Sequence, residues 1–284
     1  MRIVSIQSAE NANVKRWKKL SENARAVGKF GLTLAEGAHL AQTALEKGAE
    51  VCSVMLREGE VSAEAKALFA AYEALGSVSL FTLKEPLFEA VSPVKHGVGI
   101  CVELAVPKTE LPEAALCDDA VYLDGVQDAG NVGTILRTAL ASGVRYAALS
   151  PKTSRVWTPK VLRAAMGAHF SMTLFEDVAP RDLERIFSSR RLAADARGGS
   201  DLFKSKGWEK SPTVWMFGAE GPGLTDEALS VSRERFLIPI ESDCESLNVA
   251  AAAAQQIAKR SFKVIYANGI AAGRGDLNNA ERIV

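Results

Sequence analysis

The chain has 284 residues, 48% of them hydrophobic and 24% charged, a balance typical of globular proteins with room for two packed domains. Its 34 basic and 34 acidic side chains give a formal net charge of zero, which excludes a strong overall attraction to polyanions. No run approaches the roughly 20 apolar residues of a membrane-spanning helix. Residues 1–10 lack the apolar segment of a secretion signal, so we expect a cytoplasmic protein without membrane contacts.

The first part of the chain predicts a small α/β domain over residues 1–104. Short apolar runs predict strands, and a 3.6-residue hydrophobic period predicts helices between them. The expected strands are Phe30–Glu36, Val51–Leu56, Val78–Thr82 and Gly97–Leu104. The expected helices are the amphipathic start Val14–Leu20, His39–Lys47, which Gly48 ends, and Ala63–Ala74.

A local excess of positive charge lies in the first 30 residues, where seven basic side chains accompany two acidic ones. A basic patch can bind phosphates even on a protein that is neutral overall. If the first domain recruits RNA, its expected contacts are Asn13, Lys15, Arg16, Lys18 and Lys19. A solvated helix face explains the same residues without any partner, so both interpretations stay open at this point.

Residues 105–117 contain two prolines and no clear hydrophobic period, which is typical of a linker. Beyond it, apolar runs alternate with helical stretches, and this alternation predicts a parallel sheet covered on both faces. The expected strands are Ala120–Leu123, Tyr146–Leu149, Met172–Phe175, Leu192–Ala194, Val214–Phe217 and Phe236–Ile240. We expect this second domain to span residues 118–266, followed by a tail over residues 267–284.

The four cysteines, Cys52, Cys101, Cys117 and Cys244, show neither metal-ligand nor CxxC spacing. We interpret them as small buried hydrophobic residues in a reduced compartment. The three histidines also lack the spacing of a zinc site, so no metal is expected.

The first of three unusual segments is Asn131-Val-Gly-Thr-Ile-Leu-Arg137-Thr-Ala. Asn131 suits the cap of a helix whose apolar stripe begins at Val132. Arg137 lies off that stripe, and we expect Gly133, one turn earlier, to leave room for its guanidinium group. This group has five donors in a planar fork that suits phosphate or ribose oxygens. A capped helix with a surface arginine is the simpler alternative.

The other two segments follow later strand runs and are Phe217-Gly-Ala-Glu220-Gly-Pro-Gly-Leu224 and Ile238-Pro-Ile-Glu-Ser-Asp-Cys-Glu-Ser246-Leu-Asn248. Gly218 and its neighbours allow a ligand to approach the backbone, but Glu220 opposes a phosphate, and the spacing is not that of a P-loop or GxGxxG motif. Ser246 or Asn248 could simply cap an alanine-rich helix, Val249–Lys263. Because ligands bind at the carboxyl ends of strands in open α/β sheets, the three segments together predict one composite site and therefore an enzyme.

These motifs resemble those of a known family. The order N-x-G-x-x-x-R-T-A, F-G-x-E-x-x-G-L and I-P-I…S-L-N-V, within residues 119–265, is similar to that of the SpoU (TrmH-like) ribose 2′-O-methyltransferases of the trefoil-knotted SPOUT class. The first region resembles the small substrate-binding domain often fused upstream, through Asn13-Val14-Lys15, Leu34-Ala35-Glu36-Gly37 and Ser92-Pro93…His96-Gly97-Val98.

The resemblance implies a C-terminal trefoil-knotted α/β domain with a parallel sheet, which pairs as a homodimer, and a smaller N-terminal α/β RNA-binding domain. It implies that S-adenosylmethionine lies against Ala194, Gly218, Ile238, Ser246 and Leu247. It implies that the reacting groups are oriented by Asn131, Glu220, Ser246 and Asn248. Arg137 would bind the target ribose or phosphate.

The implied activity is 2′-O-methylation of ribose in structured RNA. The upstream domain favours ribosomal RNA, and in particular 23S ribosomal RNA, over transfer RNA. The alternatives are a transfer-RNA 2′-O-methyltransferase, a related knotted enzyme that methylates bases, and a non-catalytic RNA-binding or ribosome-assembly factor. The complete set of motif residues favours an active enzyme.

Overall fold

The computed structural model describes residues 3–94 and 97–258, except for the side chain of Glu209. The predicted tail at 267–284 and the end of the predicted helix Val249–Lys263 lie outside the described residues. Within them the chain forms two sheets, one before residue 106 and one after residue 119.

The first sheet is of mixed type. Its strands are β1 (Val4–Ile6), β2 (Leu32–Glu36), β3 (Val51–Arg57), β4 (Ser79–Leu83) and β5 (Ile100–Ala105). Their order is β1-β4-β3-β5-β2, with β5 antiparallel to both neighbours and the other pairs parallel. The helices of this region are α1 (Ala12–Glu22), α2 (Ala24–Phe30), α3 (Ala38–Glu46), α4 (Ala63–Leu75) and α5 (Glu85–Val91).

The sequence predicted four of these strands but missed β1, α2 and α5. The strand expected from Phe30 begins at Leu32, because Phe30 is the last residue of α2 and Gly31 ends that helix with a φ of 62°. The strand expected from Gly97 begins at Ile100, after Gly99 with a φ of 91°. In both cases a glycine turns the backbone just before the apolar run, which hydrophobic periodicity does not reveal.

The second sheet is entirely parallel, as the sequence predicts. Its strands are β6 (Ala120–Asp124), β7 (Tyr146–Leu149), β8 (Thr173–Phe175), β9 (Arg190–Ala194), β10 (Ser200–Asp201), β11 (Thr213–Gly218) and β12 (Glu234–Leu237). Their order is β10-β12-β9-β11-β6-β7-β8, and each adjacent pair is parallel. The short edge strand β10 was not predicted.

Both faces of the second sheet are buried, and this explains the near-continuous apolar strands. Val121 and Leu123 of β6 join one core cluster, whereas Tyr122 between them joins another on the opposite face. The covering helices are α6 (Ala129–Ala141), α7 (Pro159–Ala164), α8 (Leu183–Ile186) and α9 (Asp226–Val231). Residues 249–258 are also helical.

The strand predicted over Phe236–Ile240 is shorter than expected and ends at Leu237. Pro239 therefore lies beyond the ladder, where its missing N–H costs no sheet hydrogen bond. The segment that follows is free to leave the sheet as a loop.

Helix α6 differs from the prediction at Asn131 and at Gly133. Its cap is Asp128, whose Oδ1 accepts a hydrogen bond of 2.8 Å from the backbone N–H of Asn131, so Asn131 lies inside the helix. Gly133 is buried, and a Cβ atom built there would lie 2.4 Å from the Cβ of Ala164 and 2.7 Å from the backbone nitrogen of Ala165. Gly133 thus allows α6 to pack closely on α7, which replaces the expectation that it leaves room for Arg137.

The segment around α7 also joins the two sheets. Thr33 Oγ1 of β2 donates a hydrogen bond of 2.5 Å to the backbone carbonyl of Trp157. The ring of His169 packs edge-on against Trp157 and donates through Nε2 to the carbonyl of Val156 over 2.8 Å. Burial lowers the pKa of His169 to about 4, so this ring is neutral at pH 7. The domain bounds at 104 and 118 stay predictions; residue 104 lies within β5, one residue before its end, and residue 118 lies just before β6.

The four cysteines do not share one environment. Cys101 is buried and Cys52 is partly buried, but Cys117 and Cys244 are exposed, so the interpretation of all four as core residues was wrong for two. Among residues 3–94 and 97–258, no three His, Cys, Asp or Glu side chains are grouped as metal ligands would be. In the same ranges, no helix has the length and apolarity needed to span a bilayer.

The close packing at Gly133 predicts opposite effects for two glycine-to-alanine substitutions. Gly28→Ala in α2 meets no atom within 4 Å and should stabilise the protein by up to ~1 kcal/mol through helix propensity. Gly133→Ala places a methyl group against the α7 backbone and should destabilise by about 1–3 kcal/mol through overpacking. Urea unfolding of both variants measures the difference. A Gly133→Ala protein as stable as wild type would contradict the close packing of α6 on α7.

Candidate active site

The carboxyl ends of β12, β9, β11 and β6 lie side by side at one edge of the second sheet, because these strands are consecutive and parallel. The three predicted segments leave this edge after β6, β11 and β12. From β6 the chain passes to β7 and β8 and then returns to β9 on the other side, so the winding reverses at β6. Open α/β sheets bind ligands at such a reversal. The segments therefore meet at one location, as the sequence predicts.

A chain of side-chain hydrogen bonds links all three segments. Asn248 Nδ2 donates to Asn131 Oδ1 over 3.1 Å, and Asn131 Nδ2 donates to Glu220 Oε1. Asn248 Oδ1 also accepts from the backbone N–H of Ala250 over 2.9 Å. Asn248 therefore caps the following helix and joins the site at the same time, so the two interpretations left open by the sequence are compatible.

Beside this chain of hydrogen bonds lies a cleft of about 270 Å³ between the ends of β9, β11 and β12 and the helical residues 249–258. All five residues predicted to contact a cofactor line it, namely Ala194, Gly218, Ile238, Ser246 and Leu247. Glu220 and Asn248 also line it, whereas Asn131 reaches it through its hydrogen bonds. The roles of these residues stay predictions, and the structure brings them together.

Arg137 lies apart from the cleft. It is exposed on α6 and does not line the cavity. No hydrogen bond or ion pair connects it to any residue of the described ranges, in contrast to Arg16 and Arg197. Its fork of donors is therefore available to a ligand outside the cleft.

Gly218 is required by the loop that follows it. A Cβ atom at this position would lie 2.1 Å from the backbone carbon of Gly223 and 2.1 Å from the backbone nitrogen of Leu224. Ala219 and Gly223 also exchange backbone hydrogen bonds of 3.2 and 2.9 Å. The loop thus folds back onto the end of β11 and directs Glu220 toward Asn131. The space that a side chain at Gly218 would fill is therefore held by the loop backbone. Gly218 also lines the cleft, so the expected approach of a ligand to its backbone stays a prediction.

The buried carboxylate of Asp124 anchors the far end of this loop. Asp124 is the last residue of β6, and its Oδ2 accepts from the backbone N–H of Thr225 over 2.8 Å and from Thr225 Oγ1 over 2.7 Å. The hydroxyl of Thr225 also caps α9 by accepting from the N–H of Ala228 over 3.2 Å. The sequence analysis did not single out Asp124, although an acidic residue directly after an apolar strand was a visible signal.

Two charged residues at the cleft were also missed. Asp195 follows β9 directly and is buried, and its Oδ1 accepts from the backbone N–H of Arg197 over 3.1 Å and from its Nε over 3.4 Å. Arg197 Nη2 donates to the carbonyl of Leu224 over 3.3 Å, joining the loop after β9 to the loop after β11. The sequence Asp195-Ala-Arg197-Gly-Gly directly after a predicted strand was the signal that could have identified them.

The basic segment of α1 divides into two kinds of residue. Lys15, Lys18 and Lys19 are exposed, with Lys15 paired to Glu10 over 2.5 Å. Arg16 instead makes two hydrogen bonds of 2.8 and 3.0 Å to Glu103, whose side chain is only 2% exposed. Asn13 donates its backbone N–H to the capping side chain of Asn11. Arg16 therefore has a structural partner of its own, while the three lysines face solvent.

Comparisons with known proteins agree with this arrangement. Residues 119–257 match the family model SpoU rRNA Methylase family, and residues 11–101 match the MRM3-like substrate binding domain. The 23S rRNA (guanosine(2553)-2′-O)-methyltransferase RlmP of Bacillus subtilis (strain 168) is 29% identical over 254 residues, which cover 88% of this chain and 96% of the relative.

Two solved structures are also similar. The SpoU methyltransferase AviRb from Streptomyces viridochromogenes in complex with the cofactor AdoMet has a TM-score of 0.78 at 21% identity, covering 90% of this chain and 100% of the other. An AdoMet-bound rRNA methyltransferase from Sinorhizobium meliloti has a TM-score of 0.79 at 21% identity, covering 93% and 98%. At this level of identity the likeness concerns the fold.

The parallel sheet with a composite cleft at its reversal point defines a doubly wound α/β protein, and its fold matches those of SpoU methyltransferase structures. The chain belongs to the SpoU rRNA Methylase family, with an MRM3-like substrate binding domain ahead of the methylase region. The recognition made from the three motifs is thereby confirmed. The trefoil knot itself stays a prediction.

The anchoring role of Asp124 predicts a large effect on stability. Asp124→Ala removes the acceptor of two hydrogen bonds from Thr225, which should cost about 1–3 kcal/mol, since a typical hydrogen bond contributes about 0.5–1.5 kcal/mol. Asp118→Ala, just before the other end of β6, removes an exposed carboxylate and should stay within about 0.5 kcal/mol of wild type. Chemical unfolding compares the two. Equal, small losses would show that the loop does not depend on Asp124.

Proposed function

We propose that this protein transfers a methyl group from S-adenosylmethionine to a ribose 2′-hydroxyl of ribosomal RNA, specifically of the 23S RNA. The observation that carries this proposal is the cleft lined by Ala194, Gly218, Ile238, Ser246 and Leu247 directly beside the Asn131–Glu220–Asn248 hydrogen bonds. A relative similar over most of its length is named a 23S ribosomal-RNA 2′-O-methyltransferase. A ribosomal-RNA substrate also implies a cytoplasmic enzyme.

The cleft fits S-adenosylmethionine in its chemistry. Its walls include the apolar side chains of Ile238, Leu247 and Val249, which suit a purine and the carbons of a ribose. Its polar groups include the carboxylates of Asp195 and Glu220 and the guanidinium of Arg197, which complement a cofactor that carries both signs of charge. S-Adenosylmethionine supplies an electrophilic methyl group, which the hydroxyl oxygen must approach in line with the bond that breaks.

The chain's own residues would act mainly by positioning. Asn131, Glu220 and Asn248 hold one another at the mouth of the cleft and would orient the ribose there. Arg137 is not suited to take the hydroxyl proton, because a guanidinium group offers hydrogen-bond donors and no acceptor. Its role is therefore to bind ribose or phosphate oxygens and to stabilise the negative charge left on the 2′ oxygen when a phosphate of the RNA takes the hydroxyl proton.

We also propose that the protein is a homodimer through its C-terminal domain, and that this domain is knotted. The outer face of the helical residues 249–258 exposes the small side chain of Ala251, and a small residue there permits close approach of a second copy. Sedimentation velocity at micromolar concentration tests this assembly. A monomer would contradict it without affecting the proposed chemistry.

The reaction itself is tested by incubating the protein with methyl-labelled cofactor and total RNA, separating the RNA species by size and digesting each to nucleosides. We expect label in a single 2′-O-methyl nucleoside of the 23S RNA. Label in transfer RNA would identify the protein as a transfer-RNA 2′-O-methyltransferase. Label in a base would identify a base methyltransferase, and no label would identify a binding or assembly factor.

The role proposed for Arg137 predicts a loss of turnover without a loss of cofactor affinity. Arg137→Ala should lower kcat by about 100-fold or more, comparable to removal of a donor that stabilises a developing charge. Arg137→Lys should recover only part of this loss, because lysine keeps the charge but lacks the planar fork. Arg145→Ala, near the amino end of β7 at the opposite edge of the sheet, is the matched control. Full activity of Arg137→Lys would contradict a role for the fork.

The exposed lysines of α1 predict a salt-dependent contribution to RNA affinity. Replacing Lys15, Lys18 and Lys19 by glutamine should reduce the slope of log K against log salt by about 2–3, since each phosphate contact contributes roughly 0.7–0.9. Arg16 is kept, because its loss would leave the buried Glu103 carboxylate unpaired and destabilise the domain. Glutamines at the exposed Lys47, Lys66 and Lys108 form the control. An unchanged slope would indicate that these lysines do not contact RNA and form only a solvated helix face.

A further inference from the structure

Gln256 carries a buried side-chain amide whose oxygen is unpaired among the described residues. Its side chain is 1% exposed, and its Oε1 has no hydrogen-bond partner within the described part of the chain. A buried polar atom that stays unpaired destabilises the protein. Gln256 also lines the cleft, so a molecule in the cleft can satisfy this amide.

The helix geometry directs Gln256 into the cleft. Val249, Ala252 and Gln256 are three and four residues apart, so they share one helix face, and all three line the cleft. Ala253 and Ile257 lie on another face and belong to the core cluster. The amide is therefore part of the cavity wall.

Gln256 lies at a distance from the reactive end of the cleft. Eight residues separate it from Asn248, whose amide bonds with Asn131 at the helix start. At 1.5 Å per residue this is about 12 Å along the helix axis. Gln256 therefore faces the part of a bound cofactor that is remote from the transferred methyl group.

The chemistry of this part of the cleft favours a purine. The cleft wall around Gln256 is apolar, because Val249 and Ala252 share its helix face and also line the cleft. The charged side chains that line the cleft, Asp195, Arg197 and Glu220, follow the ends of β9 and β11 instead, and they match the charged amino-acid end of the cofactor. An amide carries an acceptor and a donor side by side, the pattern by which glutamine recognises the edge of adenine.

We propose that Gln256 reads the adenine of S-adenosylmethionine, with Oε1 accepting from the exocyclic amino group and Nε2 donating to a ring nitrogen. This assignment rests on the proposed function. It makes Gln256 a specificity-determining residue of the cofactor site, distinct from the groups that orient the ribose.

The test compares two ligands in wild type and in Gln256→Leu. The ligands are S-adenosylhomocysteine and its analogue with unsubstituted purine, which lacks the exocyclic amino group. Leucine has a similar volume and no polar atoms, so it removes the hydrogen bonds and leaves no unpaired group. Gln255→Leu replaces the neighbouring exposed amide and is the control. Titration calorimetry gives the affinities of both ligands for all three proteins, and thermal unfolding verifies that each variant is folded.

Wild type and Gln255→Leu should bind the adenine ligand about tenfold more tightly than the purine ligand, the equivalent of about one hydrogen bond. In Gln256→Leu the two affinities should agree within about twofold. A discrimination that persists in Gln256→Leu would overturn the proposal. An equal loss for both ligands would do the same, since it would indicate a packing or interface role. If folded wild type bound neither ligand, the proposed cofactor itself would be wrong. Should leucine prevent folding, Gln256→Met is measured in the same way.

Discussion

The parallel register that pairs Gly218 of β11 with Asp124 of β6 is the constraint on which the site depends. It brings the last residues of two strands side by side at the point where the winding of the sheet reverses. Asp124 then holds Thr225, and Gly218 lets the intervening loop fold back on the strand. With both ends fixed, Glu220 reaches Asn131 of α6.

The third segment is held by Asn248, whose side chain makes two different kinds of hydrogen bond. Asn248 caps the helical residues 249–258 through its Oδ1 and donates to Asn131 through its Nδ2. A capping residue is fixed in conformation by the helix that it begins. The position of the helix therefore also fixes the Asn248 side chain that bonds with Asn131. The same helix carries Gln256 into the cleft about 12 Å further along.

Much of this architecture could be predicted from the sequence, because buried parallel strands leave a strong apolar signal and Gly-rich loops mark their ends. The resemblance to a known family added the residues that share the cleft. Details set by contacts between distant parts of the chain could not be predicted. Gly133 meets α7, Arg16 meets Glu103, and β10 is only two residues long. The cap of α6 was assigned to Asn131 instead of Asp128, since both are good capping residues and only the backbone distinguishes them.

The central claim is that Asn131, Glu220 and Asn248 act as one unit that positions the ribose for methyl transfer. Single-turnover methylation of the substrate RNA by Asn131→Ala, Glu220→Ala and the double variant tests it most directly. Residues that act as a unit lose activity in a non-additive way, so the double variant should be about as slow as the slower single variant. Losses that multiply in the double variant would contradict a single positioning unit.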